Sequence, residues 1–142
     1  MATRTKVLFL CIGNACRSQM AEAIARHSAS DVIDASSAGL VPFGEIPGTT
    51  RTVLSELGIF IDGQTSKPLL PEDISGADLL INMTGRPGNA IFTEPMSKIE
   101  DWDVGDPYGF NLAVYRKIRD EIETRVEDLA RRLRGGIDSP AA

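Results

Sequence analysis

A cysteine, an arginine and a serine stand at a spacing that suits both the binding of an anion and nucleophilic attack on it. Cys11 ends an apolar run, and Arg17 and Ser18 follow after a five-residue loop. The backbone N–H groups of such a loop, with the N-terminus of a following helix, attract an anion and favour the reactive thiolate. The Arg17 guanidinium fits two oxygens of a phosphate or arsenate, and the Ser18 hydroxyl can bond the sulfur. The pattern predicts a nucleophilic cysteine at the floor of an oxyanion pocket.

The five residues between the cysteine and the arginine are predicted to bind the anion, chiefly through their backbone: Ile12, Gly13, Asn14, Ala15 and Cys16. A glycine lets the backbone approach an anion closely. An asparagine tolerates left-handed backbone angles and hydrogen-bonds across a loop. The simpler interpretation, a buried core cysteine followed by a surface arginine, does not explain why these residue types occur together.

Strands and helices are predicted to alternate along the chain, which implies right-handed βαβ units and a parallel sheet. The predicted strands are residues 6–11, 31–37, 77–84 and 98–102. The predicted helices are residues 17–29, 47–57 and 112–133, with a short helical turn at 71–74. Ligands of such sheets bind beyond the carboxyl ends of the strands. Cys11 lies at one of these ends.

Length and composition indicate an ordinary globular protein. The 142 residues suffice for a single domain, residues 1–142, whose last residues from about 135 are expected to be a frayed tail. No apolar run approaches the ~20 residues that span a membrane, and the N-terminus leads straight into a strand rather than into a signal-peptide pattern. With only two cysteines, one of which must stay a thiol, the sequence favours a cytoplasmic location.

The formal net charge of −5, without a basic stripe, argues against a nucleic acid as partner. It does not argue against an anionic ligand, because a local loop and one arginine can bind phosphate within an acidic protein. A metal site is not expected either. Zinc requires four ligands, and the single histidine, His27, lies on the predicted first helix, well beyond the two cysteines.

The chain resembles the low-molecular-weight protein tyrosine phosphatases and their relatives, the thioredoxin-coupled arsenate reductases. The resemblance rests on the segment from Cys11 to Ser18 and on Met20-Ala21-Glu22, Ser37-Ala38-Gly39 and Asp106-Pro107-Tyr108-Gly109. These motifs extend from the first strand to the start of the last helix and so cover nearly the whole chain. The resemblance implies a doubly wound α/β domain, with a four-stranded parallel sheet in the order 2-1-3-4 and helices on both faces.

Asp106 is the candidate general acid. Pro107 biases it towards an extended conformation, which would aim its carboxyl at the pocket. The dipeptide alone predicts a plain turn equally well, and the resemblance favours the catalytic interpretation. Asp101 and Asp103 are nearby rivals, but neither precedes a proline.

The resemblance also implies roles for three other side chains. Tyr108 is expected to stack on an aromatic leaving group, and Ser37 to brace Asn14. Cys16 is expected to form a reversible disulfide with Cys11, which would protect it from irreversible oxidation. The residues alone leave alternatives open, since an aromatic such as Tyr108 also anchors loops. Cys16 can equally be a plain small residue or a resolving thiol.

The function expected from these residues is that of a cysteine-dependent phosphatase. It would hydrolyse phosphotyrosine-type phosphomonoesters through a phosphocysteine intermediate, without a cofactor. Its partner would be a phosphorylated protein or a small phosphoester, and phosphate, sulfate or arsenate would fit the same pocket.

Two alternatives remain open at the level of sequence. The first is an arsenate reductase that uses an external small thiol, because residues 83–89 after the third strand contain no cysteine to relay electrons. Gln19 and residues 64–67 are similar to the reductases and favour this alternative. The second is a phospho-anion binding module without turnover. In such a module at least one of Cys11, Arg17 and Asp106 would be replaced by another residue. All three residues are present.

Overall fold

The computed structural model describes residues 3–135, which form a parallel sheet with helices packed on it. The strands are β1 (Thr5–Cys11), β2 (Ile33–Gly39), β3 (Leu79–Asn82) and β4 (Ile99–Asp101). The helices are α1 (Arg17–Ser28), α2 (Gly48–Ser55), α3 (Pro71–Gly76) and α4 (Leu112–Leu133), and two 3-10 turns lie at Gly88–Ala90 and Met96–Lys98. The tail predicted after residue 135 lies outside the described residues.

The strand order is β2-β1-β3-β4 and all pairs are parallel, which confirms the predicted topology. β1 is apolar on both faces because both faces are covered. Val7 and Phe9 pack in the larger core with α1, α2 and α4. Leu8 and Leu10 pack in a smaller core with α3 and with residues 91–92, which follow the first 3-10 turn. The central strand therefore holds its last residue, Cys11, rigidly at the carboxyl edge of the sheet.

The strand bounds differ from the prediction by one or two residues, and the carboxyl ends of β2 and β3 by two each. β2 runs on to Gly39, because its pairing with β1 continues as far as Cys11. β3 is shorter than residues 77–84. The Asn82 side chain accepts hydrogen bonds from the Thr84 backbone N–H at 3.1 Å and from its hydroxyl at 2.7 Å, which turns the chain out of the sheet.

α4 has the predicted bounds and one buried face. The Asn111 side chain begins the helix by accepting from the backbone N–H of Val114 at 3.1 Å. Its apolar face is buried against the helices and strands of the larger core: Tyr115, Ile118, Ile122, Val126 and Leu129. Within residues 3–135, no helix has the length and apolar character that crossing a membrane requires.

An ion cluster joins α4 to the end of α2. The Glu56 carboxylate accepts hydrogen bonds from Arg116 at 2.8 Å and from Arg119 at 2.7 Å, and Arg119 also donates to the Val53 carbonyl at 2.9 Å. The hydrogen bonds from Arg116, with a smaller contribution from Arg119, hold the pKa of Glu56 below its usual 4.5. Because the folded-state pKa is lowered, the carboxylate stabilises the fold fully above pH 4.5 and loses this effect as the pH falls through the lowered pKa.

We therefore expect Glu56→Gln to lower the midpoint of thermal unfolding at neutral pH, and the difference from wild type to shrink towards zero at acidic pH. Thermal scans of both proteins across this range measure the effect. Glu127→Gln, at an exposed position of α4, is the matched control. A deficit of Glu56→Gln that stays constant with pH would contradict the assignment.

Candidate active site

The loop of residues 12–16 joins the end of β1 to the start of α1 at the carboxyl edge of the sheet. A small cavity opens over it. Its lining brings together residues from the loop, α1 and two distant segments: Cys11, Gly13, Ala15, Cys16, Arg17, Phe43, Asp106 and Tyr108. The nucleophile, the guanidinium and the general acid predicted from the sequence thus share one cavity.

The carbonyl groups of the loop all accept hydrogen bonds from surrounding elements. The carbonyl of Ile12 accepts from the Val41 N–H at 2.8 Å, and that of Gly13 from the Phe43 N–H at 2.9 Å. The carbonyl of Ala15 accepts from the Thr50 hydroxyl in α2 at 3.0 Å.

The N–H groups of the loop, in contrast to its carbonyls, lack protein partners among residues 3–135. Within residues 3–135, those of Gly13, Asn14, Ala15 and Cys16 donate to no protein acceptor. Buried N–H groups without acceptors are rare and costly. A loop with paired carbonyls and unpaired N–H groups is suited to hold an anion.

The sulfur of Cys11 lies 2.9 Å from the hydroxyl oxygen of Ser18. That oxygen also accepts from the Asn14 side-chain amide at 2.8 Å. Since the amide nitrogen can only donate, the proton of Ser18 remains available to donate to the sulfur. The Ser18 hydroxyl can therefore donate a hydrogen bond to the sulfur of the predicted nucleophile.

Asn14 has a positive φ of 48° and shapes the loop from within. Its amide nitrogen donates to the Ser37 hydroxyl at 3.0 Å, and its amide oxygen accepts from the Lys67 N–H at 2.8 Å. The Gln19 side chain donates to both the side-chain oxygen and the backbone carbonyl of Asn14, each at 3.0 Å. Three separate segments therefore hold this left-handed residue.

A buried carboxylate supports this network from α1. The Ser37 hydroxyl donates to Glu22, whose carboxylate is paired with Arg26 at 2.8 Å and lies 3.9 Å from the Lys67 ammonium. With its proton committed to Glu22, the Ser37 oxygen is an acceptor for the Asn14 amide. The structure thus places Ser37 against Asn14, and the bracing role that the resemblance implied for it stays a prediction.

Arg17 is 5% exposed and is anchored through one nitrogen. Its Nη1 donates to the Met83 carbonyl and, at 3.1 Å, to the Val104 carbonyl. Its Nη2 lies 3.6 Å from the Asp106 carboxylate, and its buried Nε has no partner among the described residues. Nε and Nη2 form the edge of a guanidinium that binds two oxygens of a tetrahedral anion.

Asp106 lies at the mouth of the cavity with 53% of its side chain exposed. Its Oδ1 accepts from the Tyr108 N–H at 3.0 Å, so it forms the predicted turn and also faces Arg17. The rivals lie elsewhere, in a separate cleft that both of them line. Asp101 accepts from the N–H of Gly88 at 3.1 Å.

Two aromatic rings form the rim of the cavity. Tyr108 is 52% exposed and packs edge-on against Phe43, which is 46% exposed, with ring centroids 4.8 Å apart. The sequence analysis missed Phe43. An aromatic residue in the Gly- and Pro-containing loop after β2 was the one signal that it carried.

Cys16 is buried, and both cysteines are free thiols. Burial raises the pKa of the Cys16 thiol, whose sulfur lies 3.5 Å from the Tyr115 hydroxyl. Burial likewise raises the pKa of Tyr115 to about 12. The disulfide between Cys11 and Cys16 stays a prediction. Residues 3–135 contain no cluster of three or more His, Cys, Asp or Glu arranged to bind a metal.

Comparison with known proteins identifies relatives over nearly the whole chain. The model of the family described as low molecular weight phosphotyrosine protein phosphatase matches residues 6–137. Glutaredoxin arsenate reductase of Synechocystis is 37% identical over 125 residues, which are 87% of this chain and 95% of that protein.

Two solved structures share the fold and most of both chains. The arginine phosphatase YwlE of Geobacillus stearothermophilus has a TM-score of 0.84 at 31% identity, covering 97% of this chain and 99% of the other. The low-molecular-weight protein tyrosine phosphatase of T. tengcongensis has a TM-score of 0.82 at 34% identity, covering 91% and 99%.

Gly39, at the end of β2, lies directly under the loop. A Cβ there would stand 2.7 Å from the Asn14 backbone nitrogen and 2.8 Å from the Ile12 carbonyl oxygen. We expect Gly39→Ala to lower the free energy of unfolding by about 1–3 kcal/mol, and to weaken phosphate binding because the loop must shift. Denaturant unfolding and phosphate titration measure the two effects.

Gly63→Ala is the matched control, since a Cβ at Gly63 would meet no atom within 4 Å. We expect this control to retain both properties. If Gly39→Ala also retained both, Gly39 would not be what sets the position of the loop.

Proposed function

Because the chain belongs to the low-molecular-weight phosphotyrosine protein phosphatase family, we propose that it is a cysteine-dependent phosphatase acting on phosphotyrosine-type phosphomonoesters. The observation that carries the proposal is the loop of residues 12–16, with paired carbonyls and unpaired N–H groups, beside the sulfur of Cys11. The anion-binding edge of Arg17 lines the same cavity. These groups supply an oxyanion cradle and a nucleophile together.

In the first step, the Cys11 thiolate attacks phosphorus in line with the ester oxygen. The S–P bond forms while the P–O bond breaks, and the charge on the three non-bridging oxygens is stabilised by the loop N–H groups and Arg17. Asp106, entering the step protonated, gives its proton to the departing oxygen. Its place at the mouth of the cavity that Cys11 also lines suits this role.

In the second step, water attacks the phosphocysteine from the side that the alcohol has left. The Asp106 carboxylate accepts a proton from that water, the S–P bond breaks and phosphate departs. Ser18 donates to the sulfur as it leaves with negative charge, through the 2.9 Å contact. One carboxyl thus serves as acid and then as base.

The aromatic rim favours an aromatic leaving group. The Phe43 and Tyr108 rings are both about half exposed and border the cavity above Cys11. A phenyl ring between phosphate and peptide would cover these rings and bury apolar surface. This supports phosphotyrosine over a small aliphatic phosphoester.

Arsenate reduction is the second candidate, and the reductase named among the relatives favours it. Arsenate would first form a Cys11–arsenic adduct in the same cradle. An external small thiol would then attack the Cys11 sulfur, so that arsenic leaves as arsenite with two more electrons and a mixed disulfide remains. An external thiol is needed because residues 83–89 contain no cysteine.

Hydrolysis of p-nitrophenyl phosphate tests the proposal. We expect the wild-type protein to release p-nitrophenol at mildly acidic to neutral pH. Cys11→Ser should release none, because a serine hydroxyl replaces the thiol that supplies the nucleophilic thiolate. Circular dichroism and phosphate titration of Cys11→Ser control for loss of the fold. If the wild type shows no turnover but reduces arsenate with a small thiol, the second candidate replaces the first. Phosphate binding without either activity would indicate a binding module.

The role of Asp106 predicts a dependence on the leaving group. We expect Asp106→Asn to lower kcat/KM for phosphotyrosine by about 10²–10⁴-fold, the usual contribution of a positioned acid. The loss should be far smaller for dinitrophenyl phosphate, whose leaving group needs no proton. Asp103→Asn, at an exposed position in the neighbouring cleft, is the matched control. Equal losses for both esters in Asp106→Asn would remove Asp106 from this role.

A further inference from the structure

A second cleft, with a volume of about 320 Å3, opens beside the catalytic cavity. Its lining is Phe43, Glu45, Pro47 and Tyr108. The Phe43 and Tyr108 rings line both cavities, so a substrate whose phosphate reaches Cys11 passes directly along this cleft. The cleft has the size that suits a side chain next to the phosphorylated residue.

The cleft carries a negative charge that the described residues do not neutralise. Glu45 is exposed, and within residues 3–135 it forms no ion pair and its side chain makes no hydrogen bond. Among residues 3–135, Arg17 is the one cationic residue that lines either cavity, and it is 5% exposed and anchored at the anion cradle.

The cleft therefore combines a carboxylate with two aromatic rings and a proline. A lysine or arginine lays its alkyl stem on such apolar surface while its charged end meets the carboxylate. The exposed ring faces add a cation–π attraction. An acidic side chain in the same place would face Glu45 and be repelled.

We infer that Glu45 is a specificity-determining residue that selects phosphotyrosine-type substrates with a basic residue next to the phosphorylated one. The inference rests on the proposed phosphatase function and names the substrate class of that same site. Glu45 takes no part in bond making or breaking. It acts on the flanking side chain through charge alone.

Two phosphotyrosine peptides that differ only in a lysine or a glutamate next to the phosphotyrosine test the inference. The quantity measured is the ratio of their kcat/KM values. We expect the wild-type protein to prefer the lysine peptide by about fivefold or more, the effect of an exposed ion pair added to a repulsion. Raising the ionic strength should reduce the ratio, because exposed charges are screened.

Substitutions at Glu45 assign the preference to this residue. We expect Glu45→Gln to bring the ratio close to one and Glu45→Lys to invert it. Glu72→Gln, at an exposed position of α3 that lines neither cavity, should keep the wild-type ratio. The ratio is insensitive to a general loss of activity, because such a loss lowers kcat/KM for both peptides by the same factor.

The outcomes separate this inference from the proposed function. Cys11-dependent hydrolysis of both peptides without a lysine preference would overturn the inference and leave the phosphatase proposal standing. So would a preference that survives in both Glu45 variants. If neither peptide were hydrolysed by the wild-type protein, the proposed function and the inference would both be wrong.

Discussion

The site depends on one constraint: the carbonyl groups of the loop after β1 must turn away from the cavity so that its N–H groups remain unpaired. Unpaired buried N–H groups destabilise a protein, so the conformation needs support from elsewhere. The support comes from hydrogen bonds donated by the loop after β2, by Thr50 of α2 and by Gln19 of α1. The fold thus holds the loop in a conformation that favours a bound anion.

Asn14, with its left-handed backbone, links the conformation of the loop to the position of the nucleophile. It orients Ser18 towards the Cys11 sulfur on one side and is held through Ser37 by the buried Glu22 on the other. Arg17 is positioned independently, by backbone carbonyls that follow β3 and β4. Nucleophile and guanidinium are therefore fixed by different parts of the sheet edge, which makes their shared geometry rigid.

A contact could be predicted from the sequence when its residues lie close together along the chain, and was missed when they lie far apart. The contact of Cys11 with Ser18 spans seven residues and could be inferred from the strand, the loop and the helix around it. The sheet order followed from a resemblance of motifs along the whole chain. The contacts of Phe43 and Thr50 with the loop join segments that no local pattern relates, so the sequence analysis missed them. The shortened β3 was missed because Asn82 turns the chain through its side chain, which an apolar pattern does not reveal.

The central claim is that the sulfur of Cys11 becomes covalently bonded to phosphorus during turnover. Rapid acid quenching of the protein during hydrolysis of a phosphotyrosine peptide, followed by mass spectrometry of the peptide that contains Cys11, tests it most directly. We expect an added phosphoryl group on Cys11. Its occupancy should be higher in Asp106→Asn when a good leaving group is used, because that variant lacks the base for the second step. Turnover without any phosphorylated Cys11, or with the phosphoryl group on another residue, would contradict it.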